Sequence, residues 1–187
     1  MRNQQAIEKS NLTEKNNNLD WVNLKDSYTI YLNYISKGFS ESWAIQQVLD
    51  SYGFKINDES IFKECTENRV VEAFLYNSFN PIFLNKYFFD LVSYDVDMVS
   101  YRNVFDLFER NQTIESKTLE VVKDSALLKK KFDPNLPPAV IRETEAEGRS
   151  FYNEYKWVCG FRYEGVPMGF INVMDAKRLD DTKTSIF

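Results

Sequence analysis

Asp106, Glu115 and Lys117, in the stretch FDLFERNQTIESK, have the residue types and order of a metal-dependent nuclease centre. In such a site the acids hold magnesium, and a lysine two residues after the second acid polarises the attacked phosphate. The chemistry needs an acidic residue followed by a strand that bears E-x-K. Glu154 and Lys156 repeat the same spacing. A chain rich in glutamate and lysine produces E-x-K by chance, so the motif carries little on its own. Asp95 and Asp97, in SYDVDMV, read as a helix-capping pair before they read as a metal site. The expectation is no catalytic residue, no metal and no cofactor.

Other chemistries are excluded more firmly. The sequence contains no histidine, which removes Ser-His-Asp and Cys-His nucleophile activation, the usual zinc sites and most general-base schemes at neutral pH. Neither G-x-G-x-x-G nor G-x-x-x-x-G-K-[ST] occurs, so the standard phosphate cradles are missing. Cys65 and Cys159 lie far apart without ligand spacing. They read as two buried, reduced thiols of a cytoplasmic protein, in preference to a disulfide or reactive groups.

Charge bears on partners. A net charge of -5 and a pI near 5.0 argue against a phosphate backbone as the main partner, since such affinity comes from Lys and Arg displacing counterions. The local exception is Lys129, Lys130 and Lys131, the candidate patch for a nucleic-acid alternative. A helix-turn-helix reading of residues 35–65 meets an obstacle: the element that would enter the groove starts Asn57, Asp58, Glu59 and Ser60. Those carboxylates repel phosphate.

The elements that must position these residues follow from periodicity. Residues 1–19 are polar and read as a flexible arm. Leu24, Tyr28, Tyr31 and Ile35 fall on one helical face that Gly38 closes, and Ser40 caps a second helix ending at Gly53. A third helix is expected from Asn57 or Asp58 through Leu75. A fourth, nearly apolar all round, is expected to open at Asn80-Pro81, and a fifth spans Met98 to Arg110. Residues 113–125 read as helix, with a strand at Thr118–Val122 as the alternative.

The proline-rich connection 132–138 then separates a helical region, 20–131, from a β region, 139–187. The expected fold is α+β: an N-terminal bundle of about five helices, then a small C-terminal antiparallel sheet ending in a β-hairpin, all in one compact domain. No apolar run is long enough to span a membrane, and no secretory signal is visible at the start.

The hairpin is YNEYKWVCGFRYEGVPMGF. At period two, Tyr155, Trp157, Cys159, Phe161 and Tyr163 form a core face. A two-residue Glu164-Gly165 loop sets Phe161 opposite Met168, Cys159 opposite Phe170, Trp157 opposite Asn172, Gly160 opposite Gly169 and Lys156 opposite Val173; a three-residue loop would shift that register by one. On this reading the back of the hairpin is a partly bare strip, and Lys156, Gly160, Arg162, Pro167 and Gly169 become interface candidates.

Missing catalytic groups, an aromatic surplus and the polar arm together point to a non-catalytic protein-protein interaction or assembly protein. That class includes a subunit or adaptor of a larger complex, a virion or mobile-element structural protein, and an acidic inhibitor or immunity-type protein. The alternative is a nucleic-acid-binding protein using the helical hairpin, or a metal-dependent nuclease.

Overall fold

The computed structural model describes residues 22–128 and 138–179. The arm 1–19, Lys129, Lys130 and Lys131, and most of the connection 132–138 lie outside the described residues, as does the tail from 180. No described helix is long and apolar enough to cross a membrane.

The helical hairpin forms as its sequence dictates. Helix α1 (Leu24–Ser36) is capped by Asn23, whose side chain accepts from the Asp26 amide, and it stops ahead of Gly38 at φ 83°. Ser40 caps α2 (Glu41–Ser51), accepting from the Trp43 amide. Beyond this point the bundle does not continue. Asp58 caps only a six-residue 3-10 helix (Glu59–Glu64), preceded by the short strand β1 (Lys55–Ile56).

Of the two apolar runs expected as helices three and four, the third breaks into the 3-10 helix and a strand, and the fourth opens as a strand before it turns helical. Strand β2 is Val70–Leu75 and β3 is Pro81–Leu84. Pro81 opens an edge strand, where a missing N–H is tolerated. The helix cap is Asn85, four residues after Pro81, starting α3 (Lys86–Leu91). The expected fifth helix is split into α4 (Val96–Val99) and α5 (Val104–Leu107), followed by strand β4 (Phe108–Glu109). Asp95 does cap α4, accepting from the Met98 amide at 2.8 Å. Helix α6 spans Gln112–Leu128, the preferred reading of that segment. Strands β5 (Ala139–Glu143), β6 (Ser150–Tyr163) and β7 (Val166–Leu179) complete the chain.

These strands form one seven-stranded sheet in the order β3-β2-β7-β6-β5-β4, with β1 also paired to β6. Every pairing is antiparallel. This overturns the expected helical bundle with a small sheet after it: the sheet recruits β1 to β4 from the supposedly helical half, and the helices cover it. Both faces are buried. Val71, Ala73, Cys159, Phe161, Ile171 and Val173 face the cluster that holds α1 and α2, while Val70, Phe74, Val158, Phe170 and Met174 belong to the cluster with α3 to α5. Strands covered on both sides lose polar-apolar alternation, and that is why they imitated helices.

The β6–β7 turn is the two-residue one, with Glu164 at φ 48° and Gly165 at φ 81°, as a twisted hairpin requires. Tyr163 pairs with Val166 and Arg162 with Pro167, and then the register slips by one. Phe161 lies opposite Gly169, Gly160 opposite Phe170, Cys159 opposite Ile171 and Trp157 opposite Val173, each displaced from the expected partner. The slip seats the Phe161 ring over Gly169, where a Cβ would overlap the ring and the Phe74 carbonyl oxygen. A second irregularity at Lys156 turns Tyr155 to the opposite face from Trp157.

Candidate functional site

Two places in the fold stand out, one for buried polar chemistry and one for exposed aromatic surface. The first is the face of the sheet toward α3 to α6. There Glu72 on β2 and Asn172 on β7 are cross-strand partners, only 7% and 3% exposed. They border a pair of adjoining clefts that share Glu72, Tyr155 and Arg110. Both are small: the first leaves about 30 Å³ for water-sized molecules and the second about 20 Å³. Their walls are aromatic: Phe88, Phe108 and Phe151 line one cleft, and Phe74, Phe79 and Phe105 the other. Phe79 stands edge-on to Phe105 at 5.0 Å and holds a left-handed backbone at φ 53°, a conformation a phenylalanine rarely adopts.

Electrostatics single out Glu72 among the buried carboxylates. Glu143 accepts from the Ser93 amide, the Ser93 hydroxyl and the Arg149 amide. Glu41 accepts from the Tyr31 hydroxyl at 2.6 Å and from Asn85 at 3.2 Å, and burial still pushes its carboxyl up. Glu72 is held more sparely. Burial pushes its carboxyl up to about 7, against the opposing pull of the Arg110 charge and of a hydrogen bond with Asn172. The Asn172 Oδ1 atom is buried without a partner, a costly arrangement for a polar atom. Burial also pushes the Tyr155 phenol up to about 12. Arg110 does not close on Glu72; its guanidinium bonds the Val104 carbonyl at 3.5 Å and lies 4.6 Å from the Phe105 ring centroid and 5.9 Å from that of Phe108.

The second surface is the elbow between α1 and α2. Phe39 and Trp43 stack at 4.1 Å with their planes 20° apart, and Tyr34 packs edge-on against both. Phe39 is nonetheless 43% exposed and Trp43 36%. Helix geometry sets this up: Ser40 starts α2 after a tight turn at Gly38, and Trp43, on its first turn, comes back over the residue before the cap.

The sequence-derived candidates are dispersed. Gly160 and Gly169 are buried within the sheet, and the Gly160 carbonyl accepts from the Asn57 amide. Lys156 is half-buried and paired with Glu154 at 2.6 Å and Asp175 at 3.3 Å. Arg162 reaches Asn57 and the Gly165 carbonyl, and Pro167 is half-buried beside it. For the nuclease reading, Asp106 sits on α5 while Glu115 and Lys117 lie on the helix α6, where a two-residue spacing turns them to different faces. No group of three His, Cys, Asp or Glu side chains fit to hold a metal ion occurs among the described residues. Cys65 and Cys159 are free and buried, and burial pushes their thiols up to about 12 and about 11.

Sequence reasoning passed over both surfaces. A helical reading of residues 57–75 takes in Glu72 and hides its adjacency to a residue a hundred positions later. The one available signal was a lone carboxylate inside the β-branched and aromatic run VVEAFL.

No protein-family model matches the chain, and no curated protein matches it. Among solved structures, a light-oxygen-voltage domain described with a flavin analogue is similar over 66% of this chain and 85% of its own, at 14% identity and a TM-score of 0.43. A likeness of that size carries no inference about this protein.

Proposed function

We propose that the chain is a non-catalytic assembly protein that associates with a second copy of itself through the aromatic elbow. The observation that carries the reading is the stacked Phe39–Trp43 pair, exposed although both rings are large and apolar. Aromatic residues dominate interface hot spots because they bring large contact area at small entropic cost. A flat stacked pair is also self-complementary, so a two-fold axis beside it would let each pair extend the other's stack. The high thiol pKa values of Cys65 and Cys159 and the lack of histidine favour binding over nucleophilic chemistry. A subunit of a larger cytoplasmic or virion assembly fits the same features.

A photo-crosslinking residue placed at Ser42, one position before Trp43, tests this. The expected product is a covalent dimer whose crosslink maps to the α1–α2 elbow of the other copy and disappears in Phe39→Ser. Absence of any adduct, or one insensitive to that substitution, contradicts the reading.

The nucleic-acid alternative rests on Lys129, Lys130 and Lys131 with Lys156, Arg162 and the aromatic ribbon; Lys156 is paired with Glu154 and Asp175, Arg162 bonds Asn57 and the Gly165 carbonyl, and the acidic 3-10 helix start gives it no support.

A further inference from the structure

We infer that the clefts beside Glu72 are a binding site for ordered water, which bridges Glu72 and Asn172 to Arg110. The space fits that ligand and nothing larger. About 30 Å³ in the first cleft and about 20 Å³ in the second admit roughly two water molecules and one, since each needs about 10–15 Å³ of such space. Polar partners converge on it. Asn172 is only 3% exposed and lines the second cleft, and its Oδ1 atom finds no partner among the described residues. Glu72 lines both clefts together with Arg110. A guanidinium carries several N–H donors, and the 3.5 Å contact with the Val104 carbonyl engages one of them. A buried water typically bonds about three groups that are otherwise left unsatisfied, and Asn172, Glu72 and Arg110 are three such groups.

Water also answers the ambivalence of these groups. The Asn172 amide shares a hydrogen bond with Glu72, and turning that amide end for end does not remove the orphan. It only puts the nitrogen where the oxygen was, with N–H capacity unused instead of lone pairs. Water serves either orientation because it both donates and accepts. For the same reason it serves the Glu72 carboxyl with or without its proton, donating to the carboxylate and accepting from the acid. The bridge therefore lets Glu72 change protonation state while Arg110 stays over Phe105 and Phe108. This site is on the opposite face of the sheet from α1 and α2, so it stands or falls independently of the aromatic elbow.

Water–protein cross-relaxation in NMR spectra of the full chain is the test, read at the methyl groups of Met174 in the first cleft and Val104 in the second. Cross-peaks at the water frequency are expected at both, with the sign of a water that tumbles with the protein. Tyr155→Phe and Thr118→Val remove hydroxyls that line the clefts, and Glu72→Gln removes the carboxyl proton, so cross-peaks that persist in all three come from water. Asn172→Leu, which puts an apolar side chain of similar size in the second cleft, abolishes the Val104 cross-peak, and Trp43→Ser changes neither. Circular dichroism confirms that each variant is folded. Absence of both cross-peaks from the wild-type protein overturns the site. So does their loss in a hydroxyl or carboxyl variant, or a Val104 cross-peak that Asn172→Leu leaves at full strength. A crystal structure of the wild-type chain needs no variant: ordered water within hydrogen-bonding distance of the Asn172 amide is expected, and a direct bond from Arg110 to Asn172 Oδ1 with no water between them overturns the inference.

Discussion

Glu72 and Asn172 stand directly opposite one another on β2 and β7, one a buried carboxyl pushed up to about 7 and the other with an orphaned amide oxygen. The pairing makes stability depend on pH. An acid whose folded pKa is raised binds more protons folded than unfolded, so its stabilising share is complete below the unfolded value near 4.5 and is lost as pH rises through about 7. Glu41, also raised, acts in the same direction. Urea titrations at pH 5 and pH 8 are expected to show lower stability at pH 8. In Glu72→Gln that difference shrinks by roughly 2–3 kcal/mol, the size that a shift of this order implies. An unchanged difference would mean that Glu72 is not the titrating group.

Gly169 is expected to tolerate no side chain. An added Cβ would overlap the Phe74 carbonyl oxygen and the Phe161 ring; the oxygen is backbone of β2, and both residues lie on strands paired directly to β7, so neither strand can shift independently. Gly169→Ala should cost about 3 kcal/mol or more in urea unfolding, at the upper end of overpacking penalties.

The turn offers the opposite case. Glu164 occupies a left-handed conformation at φ 48° before Gly165 at φ 81°, the geometry in which Asn-Gly is preferred. Glu164→Asn is expected to stabilise the protein by about 0.5–1 kcal/mol, read as a rise in thermal midpoint. No gain would mean that the turn is held by contacts outside its own backbone.

The thiols should report on burial. With Cys65 pushed up to about 12 and Cys159 to about 11, neither is a thiolate at pH 8. Ellman's reagent is expected to label the native protein slowly and both cysteines at once after denaturation. Fast labelling of either in the native state would contradict its placement in the core.

Local signals in the sequence proved reliable where the physics was local. Ser40 caps α2 with its own side chain, Gly38 ends α1, and the Glu164-Gly165 loop has two residues, whereas the Asn80-Pro81 start opens a strand and Asn85 caps the helix that follows. Tertiary burial defeated the rest. Val70–Leu75 and Pro81–Leu84 are covered on both faces, so they show no alternation and pass for helix. Bulges at Lys156 and near Phe161 change the register and turn Tyr155 toward the cleft, which no period-two reading can anticipate. The cleft itself joins Glu72 to Asn172 and both to Arg110, an adjacency that exists only once the sheet is assembled.

The elbow substitutions separate folding from association. Phe39→Ser and Trp43→Ser remove a stacked pair on the surface, a contact of about 0.5–1.5 kcal/mol, so both variants should fold with nearly native unfolding curves. A collapse of stability would recast the pair as a structural contact.

Sedimentation velocity over a concentration series tests the central claim most directly. The wild-type protein is expected to show a sedimentation coefficient that rises with concentration toward a dimer, and the Phe39→Ser/Trp43→Ser double variant to stay monomeric throughout. A wild-type chain that is monomeric at every concentration, or an association that the double variant retains, would contradict assembly through the α1–α2 elbow.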